Sequence, residues 1–142
     1  MKHDYDMERI SSIISDITRY QSDLLDLGIS SIDELADKRT YYAASMILFA
    51  LLNRTIDLGN EIILTHGFGI PSTYREIFTI LEKEKVIEPG LANKMSGLVF
   101  YRNLLSHEYH GIDQEKVFLL MGRVSDILVF THKIQQYLRD SE

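Results

Sequence analysis

Apolar residues recur at three- and four-residue intervals along almost all of this 142-residue chain, and that spacing commits it to helices. The first set is Ile10, Ile13, Ile14, Ile17, Leu24 and Leu25, with Tyr20 and Gln21 on the same stripe. It predicts an amphipathic helix from about Asp4 to Leu27, closed by Gly28. Ser31 and Glu34 form a capping-box pattern that starts a short helical turn. A second long helix is expected from near Asp37 to about His66, ending at Gly67. Its opening run, TYYAASMILFALL, is apolar on nearly all sides, so Tyr41, Tyr42 and Phe49 are expected in the core. Beyond it Asn53, Asp57 and Glu61 stand at four-residue spacing and make a polar stripe, with Arg54 and Asn60 alongside.

After the loop GFGIPS, Thr73 and Glu76 cap a third helix, YREIFTILEKEK. Pro89 suits the first turn of a fourth, running to about His110 and stopping at Gly111. Asp113 caps a fifth that extends through about Arg139. With two prolines and eight glycines, the chain is poor in the turn residues of an all-β fold. The expected architecture is all-α: an antiparallel bundle of four to five helices in a single domain, residues 1–142.

Charge and composition narrow the function classes. Fifteen Lys plus Arg against 21 Asp plus Glu give a net charge of −6, which excludes a broad, non-specific nucleic-acid binder and leaves room for a local basic site. There is no cysteine, so disulfides, thiolate nucleophiles and Cys-ligated zinc are all excluded. The opening MKHDYDMERI lacks the apolar run of a signal peptide. The longest apolar stretch, Ala43 to Leu52 apart from Ser45, falls well short of the roughly 20 residues that span a bilayer. A soluble cytoplasmic protein without a membrane partner is expected.

Phosphate loops, dinucleotide fingerprints and HExxH zinc patterns do not occur. His107 and His110 have a metal-ligand spacing, but a third ligand would have to come from elsewhere, so neither a metal nor a cofactor is expected. The informative stretch is YRNLLSHEYHG, Tyr101 to Gly111. Arg102 and Tyr109 lie nearly above one another on a helix, while His107 sits about 140° away, level with Asn103. From Pro89 to Gly111 the fixed charges are Lys94 and Arg102 against Glu108, a small basic excess in an acidic chain. Spacing alone leaves two readings open. In one, Arg102, His107 and Tyr109 gather charge, proton-transfer and hydroxyl chemistry at a helix end. In the other, Arg102 and Glu108 are solvated, His107 caps the helix and Tyr109 packs by its ring.

The pattern Arg-x4-His-x-Tyr, with Asn directly after the Arg, resembles the signature of HEPN domains of the HepT type. These are the toxin halves of MNT–HepT toxin–antitoxin modules. The stretch PSTYREIFTILEKEKVIEPGLANKMSGLVFYRNLLSHEYHGID, Pro71 to Asp113, is similar to that family from its third helix to the end of its fourth; the flanking helices agree in length and character. The resemblance implies a homodimeric, metal-independent endoribonuclease, the toxin of a type II/VII-like system, with RNA as substrate and a nucleotidyltransferase antitoxin as partner.

It further implies site roles. His107 would act as general base or acid, its ordinary pKa lying near neutrality. Arg102 would hold the phosphate and stabilise its developing charge. Asn103 would orient His107 or bind a phosphate oxygen, and Asp57 is a possible support for Arg102 or His107. Tyr109 would be the residue to which the antitoxin adds AMP, placing bulk and negative charge in a phosphate-binding cleft. The competing reading is a non-catalytic subunit that binds a nucleotide or substrate for a small nucleotidyltransferase, with Arg102 and His107 holding a nucleotide phosphate.

Overall fold

The structure is a computed structural model and describes residues 2–106 and 112–141, with side chains described from residue 7 onward. The described residues form six α-helices and one 3-10 turn: α1 (Lys2–Asp26), the turn Ile32–Ala36, α2 (Lys38–His66), α3 (Tyr74–Lys83), α4 (Pro89–Ser106), α5 (Gln114–Met121) and α6 (Val124–Asp140). The bundle is all-α, as expected from the periodicity. Among the described residues, no helix is long and apolar enough to cross a membrane.

Local chemistry sets most of the helix ends. Gly28 and Gly67 follow α1 and α2 with φ of 64° and 69°, the left-handed conformation that a glycine adopts without a Cβ penalty. The Glu34 carboxylate accepts from the backbone N–H groups of Ser30 and Ser31 and holds the 3-10 turn. Asp37 caps α2 by accepting from Thr40 N–H at 3.0 Å, Thr73 caps α3 through Glu76 N–H at 3.1 Å, and Asp113 caps α5 through Lys116 N–H at 2.9 Å.

Helix α2 is the axis of the molecule and packs against α1, α3, α4, α5 and the 3-10 turn. Arg9 pairs with Glu61 and Asp16 with Arg54, so later residues of α1 meet earlier residues of α2, and the two helices run antiparallel. Ile10, Ile13 and Ile17 on α1 are sealed in a core with Leu48, Leu51, Leu58, Ile62 and Ile63 of α2, Phe78 and Leu81 of α3, and Phe130 of α6. Gly59 allows α2 and α3 to approach closely. A Cβ at that position would lie 2.7 Å from Ile77 Cγ2 and 3.6 Å from the Phe130 ring, which packs edge-on against Phe78.

Three expectations need correction. The fifth helix is two helices, α5 and α6. Around the break Gly122 and Arg123 make a tight turn, and the Arg123 side chain binds both Asp126 Oδ2 and the Lys94 carbonyl of α4, at 3.0 and 3.1 Å. Helix α3 stops at Lys83, because Lys85 turns left-handed (φ 61°) and Val86 N–H folds back onto the Leu81 carbonyl. Finally, the apolar opening of α2 is not buried all round: Tyr42 is 65% and Met46 75% exposed, and Tyr41 and Phe49 are half-buried. These exposed residues begin a stripe, Tyr42, Met46, Phe49, Asn53, Asp57, Asn60 and Leu64, that follows the helical repeat along one outward side of α2.

Candidate active site

Helix α4 is seated by Met95, Leu98, Val99 and Leu105, all buried against the core. Their spacing turns Arg102 to the edge of the helix, over the outward stripe of α2. There the Arg102 Nε–H donates to Asn53 Oδ1 at 2.9 Å, and Nη1 donates to Asn103 Oδ1 at 3.4 Å. Two rings flank the guanidinium: its central carbon lies 4.8 Å from the centroid of Tyr74 and 5.5 Å from that of Phe49. A planar cation held between aromatic faces and by two side-chain amides has few orientations left to lose. Both hydrogen-bond partners are neutral, so they fix the positive charge without cancelling it.

Beside Arg102 is a cavity of about 600 Å³, formed by α2, the start of α3 and α4. Its floor is apolar, with Ile56, Ile77 and Val99, and its rim carries Asp57, Asn60, Asn103 and Thr73. Tyr74 and Asn103 belong to the wall of the cavity and to the surroundings of Arg102 at once.

The structure brings together Arg102 and Asn103 of the expected site. Asp57 lies on the adjoining cavity wall, but its Oδ2 accepts from Arg54 Nη1 at 3.0 Å, while Arg54 Nε reaches Asp16 of α1 at 2.9 Å. The residue that holds Arg102 from this helix face is Asn53, one turn before Asp57. The third member of the expected polar stripe, Glu61, is 8% exposed and bonded to Arg9, so it belongs to the α1–α2 contact rather than to a solvated face. His107 and Tyr109, together with His110 and Gly111, lie outside the described residues. Among the described residues, no cluster of three or more carboxylate or histidine side chains is placed to hold a metal ion.

Asn53, Phe49 and Tyr74 are the site residues that sequence reasoning did not single out for this role. Asn53 stands in the polar stripe of α2, which is the one signal pointing to it. Phe49 reads as core, and Tyr74 as the first residue of a capped helix; neither has a local pattern that pairs it with an arginine far along the chain.

Comparison with known proteins gives a consistent relationship. The family profile described as "Ribonuclease HepT-like" matches residues 8–134. A protein of Shewanella oneidensis named "mRNA nuclease HepT" is 30% identical over 87 residues, a match spanning 61% of this chain and 56% of that protein. A "tRNA nuclease HepT" of Aphanizomenon flos-aquae is 24% identical over 133 residues, 93% of this chain and 86% of the other. Among solved structures, the tri-AMPylated Shewanella oneidensis HEPN toxin in complex with MNT antitoxin superposes with a TM-score of 0.80 at 23% identity, covering 89% of this chain and 96% of that one. A cytosolic protein of unknown function from Bacillus subtilis, YutE, superposes with a TM-score of 0.79 at 22% identity, over 92% and 91% of the two chains. At these identities the structural likeness establishes the fold.

Proposed function

The chain belongs to the HepT-like ribonuclease family, and from that premise we propose that it is a metal-independent endoribonuclease, the toxin half of a pair whose other half is a nucleotidyltransferase antitoxin. Arg102 carries the reading. A guanidinium offers five N–H donors in a rigid fork; with Nε and Nη1 directed to Asn53 and Asn103, its plane is set, and both of these partners are neutral. A phosphodiester is the ligand whose oxygens suit that fork.

In the proposed reaction Arg102 and Asn103 hold the scissile phosphate and stabilise the charge that builds on its oxygens. His107 takes the proton of the ribose 2′-hydroxyl, whose oxygen attacks the adjacent phosphorus. The bond from phosphorus to the 5′-oxygen breaks, and that oxygen receives a proton from a second imidazole. The products are a 2′,3′-cyclic phosphate and a free 5′-hydroxyl. Two imidazoles require two copies of a one-histidine motif, hence a homodimer. The exposed Tyr42, Met46 and Leu64 on the outward stripe of α2, and Phe100 on α4, supply apolar surface for a second copy.

Tyr109 is the proposed target of neutralisation. Its hydroxyl attacks the α-phosphorus of ATP on the antitoxin, AMP becomes joined to the ring oxygen, and pyrophosphate leaves. The added phosphate then competes with RNA for Arg102. An RNA substrate places this work in the cytoplasm.

Expression of the chain alone is expected to arrest growth, and expression of His107→Ala is not. Co-expression with a nucleotidyltransferase encoded beside it should restore growth and add one or more AMP groups to the peptide containing Tyr109. Equal arrest by wild type and His107→Ala would contradict the catalytic reading. Loss of arrest without modification of Tyr109 would contradict this mode of neutralisation.

A further inference from the structure

The cavity beside Arg102 has no part in the chemistry described above, although it shares Asn103 and Tyr74 with it. We infer that this cavity is the base-recognition subsite of the enzyme, that it takes the unpaired base next to the phosphate held by Arg102, and that Asp57 selects guanine there. The inference rests on the RNA-cleaving reading for the nature of its ligand and on the cavity itself for the selection.

A volume of about 600 Å³ lies within the roughly 300–1,000 Å³ usual for small-ligand sites. The walls divide as a base requires. Ile56, Ile77 and Val99 present an apolar surface to a flat ring, while Asp57, Asn60 and Asn103, with Thr73 and Arg75, line the same space with polar groups. Because Asn103 also bonds Arg102, a phosphate on the arginine and a ring in the cavity are neighbours, the relation a nucleotide imposes on its own phosphate and base.

Asp57 makes the cavity selective. A carboxylate is an acceptor only. In an RNA site it would also repel the polyanion, but Arg54 is bonded to Asp57 Oδ2 and compensates that charge. Arg54 is itself anchored to Asp16, which Arg19 also contacts, so the Asp57 carboxylate is held by a chain of ion pairs reaching into α1. Oδ1 and the second lone pair of Oδ2 can then receive two donors from the ligand.

Guanine presents two adjacent donors, N1–H and the N2 amino group, the pair a carboxylate accepts in parallel, and its O6 suits the amide NH2 of Asn60. Adenine and cytosine set a single amino donor beside an unprotonated ring nitrogen. Uracil sets its one N–H between two carbonyl oxygens, which face the carboxylate unfavourably.

The test uses full-length protein and four 2′-O-methyl dinucleotides differing in one base, which bind without being cleaved because the nucleophilic hydroxyl is blocked. Guanine is expected to bind about tenfold tighter than uracil, the discrimination of one good bidentate contact. Asp57→Asn, which replaces an acceptor by an amide, should bring the two within about twofold, and Asn60→Ala should weaken guanine selectively. Both variants should melt with wild type, Asp57 being half exposed at its side chain (51%). Equal binding of all four bases by wild type, or an undiminished guanine preference in Asp57→Asn, overturns the inference. The nuclease reading fails separately: guanine-selective binding by a protein that cleaves no RNA leaves the subsite standing and removes the reaction.

Discussion

Arg102 of α4 and Asn53 of α2, 49 residues apart in the chain, meet through a 2.9 Å hydrogen bond from Nε to Oδ1. The aim of the site's cation is therefore decided by how two helices pack, and α2 acts as a clamp as well as the axis of the core. Phe49, one turn before Asn53 on the same stripe, adds its ring to that clamp.

Asn53→Ala is expected to leave the fold intact and lower kcat/KM for RNA cleavage about tenfold, the usual scale for one hydrogen bond to a charged group. Asn53→Asp should do more harm than Ala. Its carboxylate would neutralise Arg102, raise KM and flatten the salt dependence of RNA binding. Arg102→Lys should fail to restore activity, since an ammonium cannot reproduce the fork. Steady-state cleavage rates of the three variants check the set.

At Gly59 the packing of α2 against α3 leaves little room for a side chain. Alanine favours a helix over glycine by about 1 kcal/mol, but a Cβ here meets Ile77 Cγ2 at 2.7 Å. Gly59→Val, which adds branching as well, is expected to destabilise the protein by about 2 kcal/mol through overpacking, read from denaturant unfolding with an unchanged m-value.

Acid should loosen the bundle at its caps. The Thr40 backbone N–H holds the Asp37 carboxyl below its ordinary range, with help from the Thr40 hydroxyl. The Lys116 backbone N–H does the same for Asp113, and that of Ser30 for Glu34. A carboxyl whose pKa is lower in the folded state stabilises above its unfolded pKa, and the contribution is lost as pH falls through the folded value. Melting temperature should therefore be flat above about pH 5 and fall below about pH 4. In the double variant Asp37→Asn, Asp113→Asn that fall should be shallower.

The starts of α2, α3 and α5 and the ends of α1 and α2 were legible because their causes are local. Asp37 with Thr40, Thr73 with Glu76 and Asp113 with Lys116 each lie within one turn, and Gly28 and Gly67 mark their ends by backbone freedom alone. The division of α5 from α6 was hidden because the apolar repeat runs on through Val117, Leu120, Val124 and Ile127. The break is held in part by the Arg123 contact to the Lys94 carbonyl, 29 residues away. Tyr42 and Met46 misled for a related reason: an apolar run predicts burial, yet which sides of a helix receive neighbours is a property of the whole bundle. Arg102 and Asn103 were legible as a motif; the means of holding Arg102 was not, since Asn53, Phe49 and Tyr74 come to it from other helices.

The most direct measurement is cleavage of RNA by the purified protein in EDTA, with its mass first shown to be free of AMP, beside Arg102→Ala and His107→Ala. The account expects cleavage by wild type, 2′,3′-cyclic phosphate ends on the products, and loss of both with either variant. Absence of cleavage by the unmodified wild-type protein, or equal cleavage by His107→Ala, would contradict it.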